Sequence, residues 1–162
     1  MANLPPGYQE QRLRHPAIET FEQHWNSLRV GEVAPRRRDF DILDLPGKLW
    51  HYITLVEVER EPRRYKYVVF SSANRDAYGE DITGRYMDEI DLGGNLEKYT
   101  RQFDEAADSH RPIFERDSFM RDDGHEYGFE GGCFPLLGED GHVSHLVLVT
   151  AMYRNKTPYT RW

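Results

Sequence analysis

Two Asp-Gly pairs in the last third of the sequence constrain the fold most strongly. Asp123-Gly124 and Asp140-Gly141 separate three runs, 111–121, 125–137 and 142–154, that are rich in β-branched and aromatic residues. Asp-Gly between two such runs favours a tight hairpin turn, because glycine adopts the positive φ that the turn requires. The pattern therefore predicts three consecutive strands joined by two hairpins.

Two more strands are predicted earlier in the chain. Residues 50–60 (WHYITLVEVER) and 65–72 (YKYVVFSS) have the same β-branched and aromatic character, and the segment EPRR lies between them. This arrangement predicts another hairpin. Four glycines between residues 79 and 94 then predict short helical turns rather than one long element.

Two longer helices are predicted outside these strands. In residues 15–30 large apolar residues recur every three or four positions, Pro16 suits the first helical turn and Gly31 suits a C-terminal stop. Residues 95–110 have the same periodicity, and Asn95 is expected to cap the start of that helix. The predicted order is helix, two strands, small helices, one helix and three strands.

Length and composition predict one domain and argue against some partners. The 162 residues suit a single domain at 15–154, with a polar tail at 1–14 and a short tail at 155–162. The formal charge of -7 argues against a partner held by its phosphate backbone. A lone cysteine forms no internal disulfide, and neither a signal core nor a membrane span is seen, so a cytoplasmic protein without a membrane partner is expected.

Several short motifs resemble the PAS domain superfamily in their order and spacing. They are the segment from Tyr78 to Arg85 (YGEDITGR), the two Asp-Gly turns, and the Pro135-Leu136-Leu137 step between those turns. More narrowly, Pro35–Asp41 (PRRRDFD) and Tyr65–Tyr67 (YKY) resemble a stand-alone PAS-like family known mainly from alphaproteobacteria. The likeness covers roughly residues 17–154, although Ser71-Ser72 and Ile42 depart from the narrower family.

The resemblance implies a fold and a class of function. The expected fold is α+β, a five-stranded antiparallel sheet in the order 2-1-5-4-3 with helices between strands 2 and 3 and a flanking N-terminal helix. The expected function is that of a bacterial sensory or regulatory module that signals by ligand binding, protein contact or both, without catalysis. No kinase, cyclase or DNA-binding segment is seen, so a signal is expected to leave through a partner or a homodimer.

PAS proteins bind ligands between the sheet and the small helices, and the resemblance therefore suggests which strand residues face that space. Strand alternation places one set of side chains inward. Asp117 is notable in this set, because an inward carboxylate must find a partner or meet water, and Thr150 offers a second polar group. The candidate ligand-binding residues are Asp117, Phe119, Tyr127, Phe129, Cys133, Leu148 and Thr150.

No cofactor or metal is expected. Light-sensing PAS proteins that form a flavin-thiol adduct have a cysteine just after the Gly-Arg step, where this chain has Tyr86. His110 is the one candidate near the long helix for haem, and a polar histidine at a helix C-terminus is usually a surface residue. His142 and His145 are expected on opposite faces of one strand, which makes them poor partners for a shared metal.

The N-terminal helix and the outward sheet face both have apolar surfaces that need to be covered. Packing of the helix on its own sheet would satisfy both within one chain. A helix of about 15 residues covers only part of a five-stranded sheet, so a two-fold dimer is also expected. The candidate dimer-interface residues are Ile18, Phe21, Trp25, Leu28, Val147 and Val149.

An enzymatic interpretation is the alternative to a PAS-like module. Ser71-Ser72, Cys133 and the histidines lie in no nucleophile-elbow, Walker or metal-hydrolase context. A small α+β cavity enzyme of the ketosteroid-isomerase type would use Asp117 as its base. In that fold the helices precede the whole sheet, whereas here helices are predicted between strands 2 and 3, which favours the PAS interpretation.

Overall fold

The computed structural model describes residues 14–120, 124 and 126–154, which contain three α-helices and five strands. The helices are α1 (Pro16–Ser27), α2 (Ser72–Tyr78) and α3 (Leu96–Ser109). The strands are β1 (Ile53–Glu59), β2 (Arg64–Val69), β3 (Ile113–Met120), β4 (Glu126–Leu137) and β5 (Val143–Arg154). Short 3-10 helices occupy Arg37–Asp39, Ile42–Asp44 and Gly47–Tyr52 before β1, and Met87–Glu89 before α3.

The five strands form one antiparallel sheet in the order β2-β1-β5-β4-β3, which confirms the predicted topology. Gly141 has φ +82 in the turn between β4 and β5, so the second Asp-Gly pair forms the hairpin turn as expected. The other predicted turn involves Asp122 and Asp123, which lie outside the described residues, as do both predicted tails except for Arg14.

Both faces of the sheet are buried, each in its own cluster. The outer face packs against α1 and the connector before β1, and the inner face packs against α3 and the segment after α2. Because strand residues alternate between faces, β5 contributes Leu146 to the inner cluster and Val147 and Val149 to the outer one, all fully buried. The central strand is therefore apolar on both sides, as a doubly covered strand must be.

Helix α1 lies on the outer face of its own sheet. Ile18, Phe21 and Trp25 are buried there, the ring centroids of Phe21 and Phe134 are 4.8 Å apart, and Trp25 Nε1 donates a hydrogen bond to the Pro135 carbonyl at 2.9 Å. Covering both apolar surfaces within one chain removes both from water, which is the reason the helix packs here.

This packing corrects the assignment of the outer-face residues to an interface between two copies. Five of the six candidates are at least nine-tenths buried within one chain, and Leu28 packs against the same cluster. A second copy would have to displace α1 to reach them. The six residues are Ile18, Phe21, Trp25, Leu28, Val147 and Val149.

Local signals at the helix ends were only partly correct. Pro16 occupies the first turn of α1 as predicted, but the helix ends at Ser27, several residues before Gly31. The side chain of His15 caps the start, accepting a hydrogen bond from the Ala17 amide at 3.0 Å. Asn95 does not cap α3 with its side chain, which instead donates to the Leu92 carbonyl.

The Gly84-Arg85 step covers part of one edge of the sheet, that of β2. Its backbone runs beside edge strand β2, where the Gly84 amide donates to the Tyr67 carbonyl at 2.6 Å and the Tyr67 amide donates to the Arg85 carbonyl at 3.0 Å. Gly84 has φ +87, a conformation that favours glycine. The step therefore satisfies β2 backbone groups that would otherwise offer an edge to another chain.

Replacement of Gly132 by alanine is expected to lower the free energy of unfolding by about 1–3 kcal/mol. The new Cβ would lie 2.6 Å from Phe134 Cε2 and 3.2 Å from Ile18 Cγ2. Phe134 is fully buried against α1, so its ring has little room to move.

Gly131→Ala is the matched control, because its Cβ would lie 3.4 Å from Glu115 Cγ, close to an ordinary contact. The free energy of unfolding of this variant is expected to fall by less than about 1 kcal/mol. Urea denaturation of both variants measures the difference, and equal losses would contradict the close packing of α1 over Gly132.

Candidate functional site

A small cavity lies between α3 and the inner face of β3, β4 and β5. Its volume is about 30 Å³, enough for roughly two water molecules. Its walls combine apolar side chains, among them Phe103, Ile113 and Leu148, with the polar groups of Gln102, Glu115 and Thr150. The cavity thus places a few polar groups within a largely apolar wall.

The sequence produces this cavity through strand alternation and one missing side chain. On β3, Ile113 and Glu115 are two residues apart and so share the inner face. Across the strand pair, Glu115 lies opposite Gly131, which has no side chain to fill the space. Helix α3 closes the other side with Gln102 and Phe103.

Glu115 is the most unusual group in the cavity. Burial raises the pKa of its carboxyl group, while a hydrogen bond from Gln102 and the charge of Lys98 act in the opposite direction. Glu115 Oε2 and Gln102 Oε1 are both buried, and neither has a hydrogen-bond partner among the described residues. Native proteins rarely leave such atoms unpaired, so these two oxygens mark a site for a hydrogen-bond donor.

The Glu115 carboxyl also acts on its neighbours. The pKa of Tyr99 is raised to about 12, mainly by burial and further by the charge of Glu115. Burial likewise raises the pKa of the Cys133 thiol, and Glu115 adds to that effect. Cys133 is therefore a protonated thiol in the cavity wall and is unsuited to act as a nucleophile.

Helix α3 is tied to the sheet at both ends. Near its start, Lys98 forms an ion pair with Asp117 on β3. Near its end, Asp108 forms an ion pair with Arg63 of the β1–β2 turn, in which Oδ1 lies 2.8 Å from the guanidinium nitrogen. Asp104 accepts a hydrogen bond from the Tyr65 hydroxyl on β2. These contacts hold the helix over the cavity.

The structure brings together only some of the residues predicted to bind a ligand. Cys133, Leu148 and Thr150 line the cavity. Asp117 does not, because its side chain pairs with Lys98 at the rim.

The aromatic candidates are also not at the cavity. Phe129 is buried further along β4 on the same face, and Tyr127 is half-buried beyond it, but neither lines the cavity. Phe119 lies in β3, and its side chain is outside the described residues.

Glu115, Gln102 and Gly131 were missed as site residues. The strand parity that singled out Asp117 also places Glu115 inward, since the two residues are two positions apart. That signal was available in the sequence. Strand parity does not show which part of β3 is covered by α3. The carboxylate under the helix is buried, whereas the one further along the strand lies at the rim.

Other nucleophile and ligand candidates do not form a second site among the described residues. Ser71 caps α2 through its hydroxyl, and Ser72 Oγ lies 2.5 Å from His51 Nδ1 on an exposed surface. The part of the chain that the structure describes holds no group of three or more histidine, cysteine, aspartate or glutamate residues placed to bind a metal.

The three histidines considered from the sequence are far from such a role. His110 adopts a left-handed conformation at the end of α3. His142 lies in the turn before β5 rather than on the strand. The pKa of His145 is lowered, first by burial and then by the charge of Arg37, so the neutral imidazole is favoured.

The fold is similar to those of PAS and light-oxygen-voltage domains of known structure. A light-oxygen-voltage domain studied with a flavin analogue matches at 12% identity and a TM-score of 0.53, over 72% of this chain and 87% of that chain. The light-state dimer of the fungal blue-light photoreceptor Vivid matches at 11% identity and a TM-score of 0.50, over 86% of this chain and 96% of that chain.

A PAS domain of a protein from Colwellia psychrerythraea also matches, at 17% identity and a TM-score of 0.49, over 68% of this chain and 96% of that chain. No protein-family model and no curated protein matches the sequence. The structural similarity shows that the chain has a PAS fold.

Replacement of Glu115 by glutamine is expected to stabilise the protein at pH 7 by about 1–2 kcal/mol, the cost of a buried acceptor without a partner. Folding raises the pKa of this carboxyl above its unfolded value near 4.5. Its contribution to stability is therefore complete below pH 4.5 and is lost as the pH rises through the folded value. The advantage of the variant should shrink as the pH falls toward 4.5.

Urea denaturation between pH 4 and pH 8 measures this effect. Glu97→Gln is the control, because the Glu97 side chain is 90% exposed on α3 and the free energy of unfolding of this variant should change by less than about 0.5 kcal/mol. Parallel pH profiles for the wild type and Glu115→Gln would contradict the assignment of Glu115 as a buried, incompletely paired carboxyl.

Proposed function

We propose that this chain is a PAS-like sensory or regulatory module that responds to a small ligand in the cavity beneath α3 and passes the response to another protein. The observation that carries the proposal is the pair of acceptor oxygens on Glu115 and Gln102, which have no hydrogen-bond partner among the described residues and lie in a cavity with apolar walls. Leaving such atoms unpaired lowers stability, so a module that retains them gains from binding a donor there.

The cavity is placed so that a ligand would bridge two parts of the domain. Gln102 and Phe103 belong to α3, whereas Glu115 belongs to β3. Ion pairs at both ends of the helix hold it against the sheet. A ligand that contacts both elements would add new contacts between these ion pairs and so shift the position of the helix. The exposed side of α3, where Glu97 and Arg101 lie, would present the change to a partner.

A resident flavin or haem does not fit this cavity. Its volume is about 30 Å³, whereas sites for larger ligands span about 300–1,000 Å³. The residue after Gly84-Arg85 is Tyr86, half-buried beside β2, so no thiol stands at that point for a flavin adduct. We therefore propose that the module works without a resident cofactor.

We propose further that the module has no catalytic activity. In the isomerase alternative Asp117 would be the base, but this carboxylate lies outside the cavity and accepts the Lys98 ammonium and the Ser118 amide. A base must reach its substrate proton, and these contacts hold Asp117 away from the enclosed space.

We also propose that the protein is cytoplasmic and belongs to a bacterial family. The described residues contain no helix long and apolar enough to cross a membrane. Cys133, the lone cysteine, is buried with a protonated thiol, which suits a reducing compartment such as the cytoplasm. The motifs from Pro35 to Asp41 and from Tyr65 to Tyr67 support membership of the stand-alone alphaproteobacterial PAS-like family.

Gly131→Leu is expected to fill the cavity and to reduce ligand binding at least about tenfold, because the side chain would project toward Glu115. Native mass spectrometry of the purified protein identifies any small molecule that co-purifies. Amide shifts in an NMR screen of small molecules then locate binding to α3 and β3–β5.

Gly47→Leu is the matched control, since nothing lies within 4 Å of a Cβ at that position. A molecule that binds wild type and Gly131→Leu equally well would show that the cavity is not the sensory site. Absence of any molecule bound to the wild type in both experiments would contradict the sensory proposal itself.

We also propose that two copies associate through apolar residues around α1 rather than through α1 itself. Four apolar residues are exposed here, namely Val30, Val33, Leu43 and Trp50. Three of them are adjacent in sequence to a residue of the outer cluster or to a residue packed against it. Vivid, whose fold is similar, was solved as a light-state dimer. These four side chains would otherwise leave apolar area in water.

Sedimentation equilibrium at tens of micromolar protein is expected to give about twice the chain mass of 19.1 kDa. Leu43→Glu should weaken association about tenfold or more without loss of stability, because Leu43 is 70% exposed. Leu96→Glu, an exposed apolar residue at the start of α3, is the control. A wild-type mass of one chain would disprove the dimer.

A further inference from the structure

We propose that the cavity beneath α3 selects a small organic cation that carries N–H donors, such as an amidinium or a primary ammonium, through Glu115 Oε2 and Gln102 Oε1. This inference rests on the proposed function, because it names the ligand class of the same site. It is drawn from the hydrogen-bonding capacity, the charge and the size of the cavity.

The hydrogen-bonding capacity of the cavity favours a donor. Glu115 Oε2 and Gln102 Oε1 are both acceptors, and neither meets a donor among the described residues. The Gln102 amide group already donates to Glu115, so its N–H groups are partly used. A ligand that offers only acceptors would leave both oxygens unpaired and would bring its own acceptors into a buried space.

The charge of the cavity favours a cation. Two carboxylates, Glu115 and Asp117, project from the same face of β3, and Lys98 is the cation closest to them in the described ion pairs. Its ammonium pairs with Asp117, and no ion pair joins Glu115 to a lysine or arginine in the described part of the chain. The charge of Lys98 acts on Glu115 as well, but one ammonium serves two carboxylates. A cation would balance the second negative charge, whereas an anion would meet repulsion in a low-dielectric site.

The size and the walls of the cavity favour a ligand of few atoms. The volume of about 30 Å³ corresponds to roughly two water molecules. Phe103, Ile113 and Leu148 provide apolar walls, which suit a methyl or methylene group beside the charged end. The space comes from Gly131, where any longer side chain would contact Glu115.

The planar fork of an amidinium matches this set of acceptors well. Its two N–H groups on one edge can engage a carboxylate and an adjacent amide oxygen, and charge-assisted hydrogen bonds of this kind are the strong ones. A primary ammonium offers three donors from one nitrogen and meets the same requirement with less directional specificity.

Acetamidinium, acetamide and acetate form a matched test, because the three have the same size and shape but are cationic, neutral and anionic. Each is titrated into the ¹⁵N-labelled full chain, and the amide shifts of Gly131, Cys133 and Thr150 are followed. Acetamidinium is expected to give saturable shifts with a Kd in the high micromolar to millimolar range, as suits a ligand of four non-hydrogen atoms. Acetamide and acetate should bind at least about tenfold more weakly.

Variants connect the binding to the two oxygens. Glu115→Gln should weaken acetamidinium binding about 10- to 100-fold, the loss of a charge-assisted hydrogen bond. Glu97→Gln removes the same charge from the exposed side of α3 and should leave binding unchanged. Gln102→Met removes the second acceptor and should weaken binding several-fold, and the NMR spectrum of each variant verifies its fold.

The outcomes separate this inference from the proposed function. Equal binding of acetamidinium and acetamide, or full acetamidinium binding by Glu115→Gln, would overturn the cation assignment. If acetamidinium does not bind while another molecule binds the wild type and is lost in Gly131→Leu, the sensory function stands and the ligand class is wrong. If only solvent occupies the cavity under all conditions, both proposals fail.

Discussion

The burial of both faces of a single antiparallel sheet is the constraint on which the rest of this structure depends. β5 lies at the centre of the sheet, and Leu146 on one face and Val147 and Val149 on the other are fully buried. A strand that is apolar on both sides needs a cover on both sides. Helix α1 and the connector cover the outer face, and α3 covers the inner face. Each of these two layers stabilises one face of the sheet.

The two covers differ in what they enclose. Under α1 the packing is close and aromatic, with Phe21 against Phe134 and no room for a side chain at Gly132. Under α3, Gly131 leaves a small space, and one oxygen each of Glu115 and Gln102 is buried there without a partner in the described residues. The outer layer is therefore suited to stability, whereas the inner layer retains an unfavourable polar cluster that the proposed ligand would satisfy.

The attachment of α3 is the feature on which the proposed response depends. Salt bridges at partly exposed positions, such as Lys98 with Asp117 and Arg63 with Asp108, are individually weak and are easily rearranged. A ligand that neutralises Glu115 acts on the same helix between these attachments. In the proposed function, a small buried event would act on the position of an element whose other side faces solvent.

The sequence by itself determined the order of the strands along the chain, the two-faced pattern of each strand and the amphipathic character of α1 and α3, whereas the order of the strands within the sheet was implied only by the resemblance to PAS domains. These features depend on local signals, namely period-two alternation, glycine in turns and apolar spacing along a helix, and local signals are complete within a few residues. The tertiary structure decided that α1 covers its own sheet, that Glu115 rather than Asp117 lies in the cavity, and that Asn95 does not cap α3. Those outcomes depend on where one element crosses another, because the depth of a side chain is set by contacts between residues far apart in the chain, and alternation alone assigns a face but not a depth.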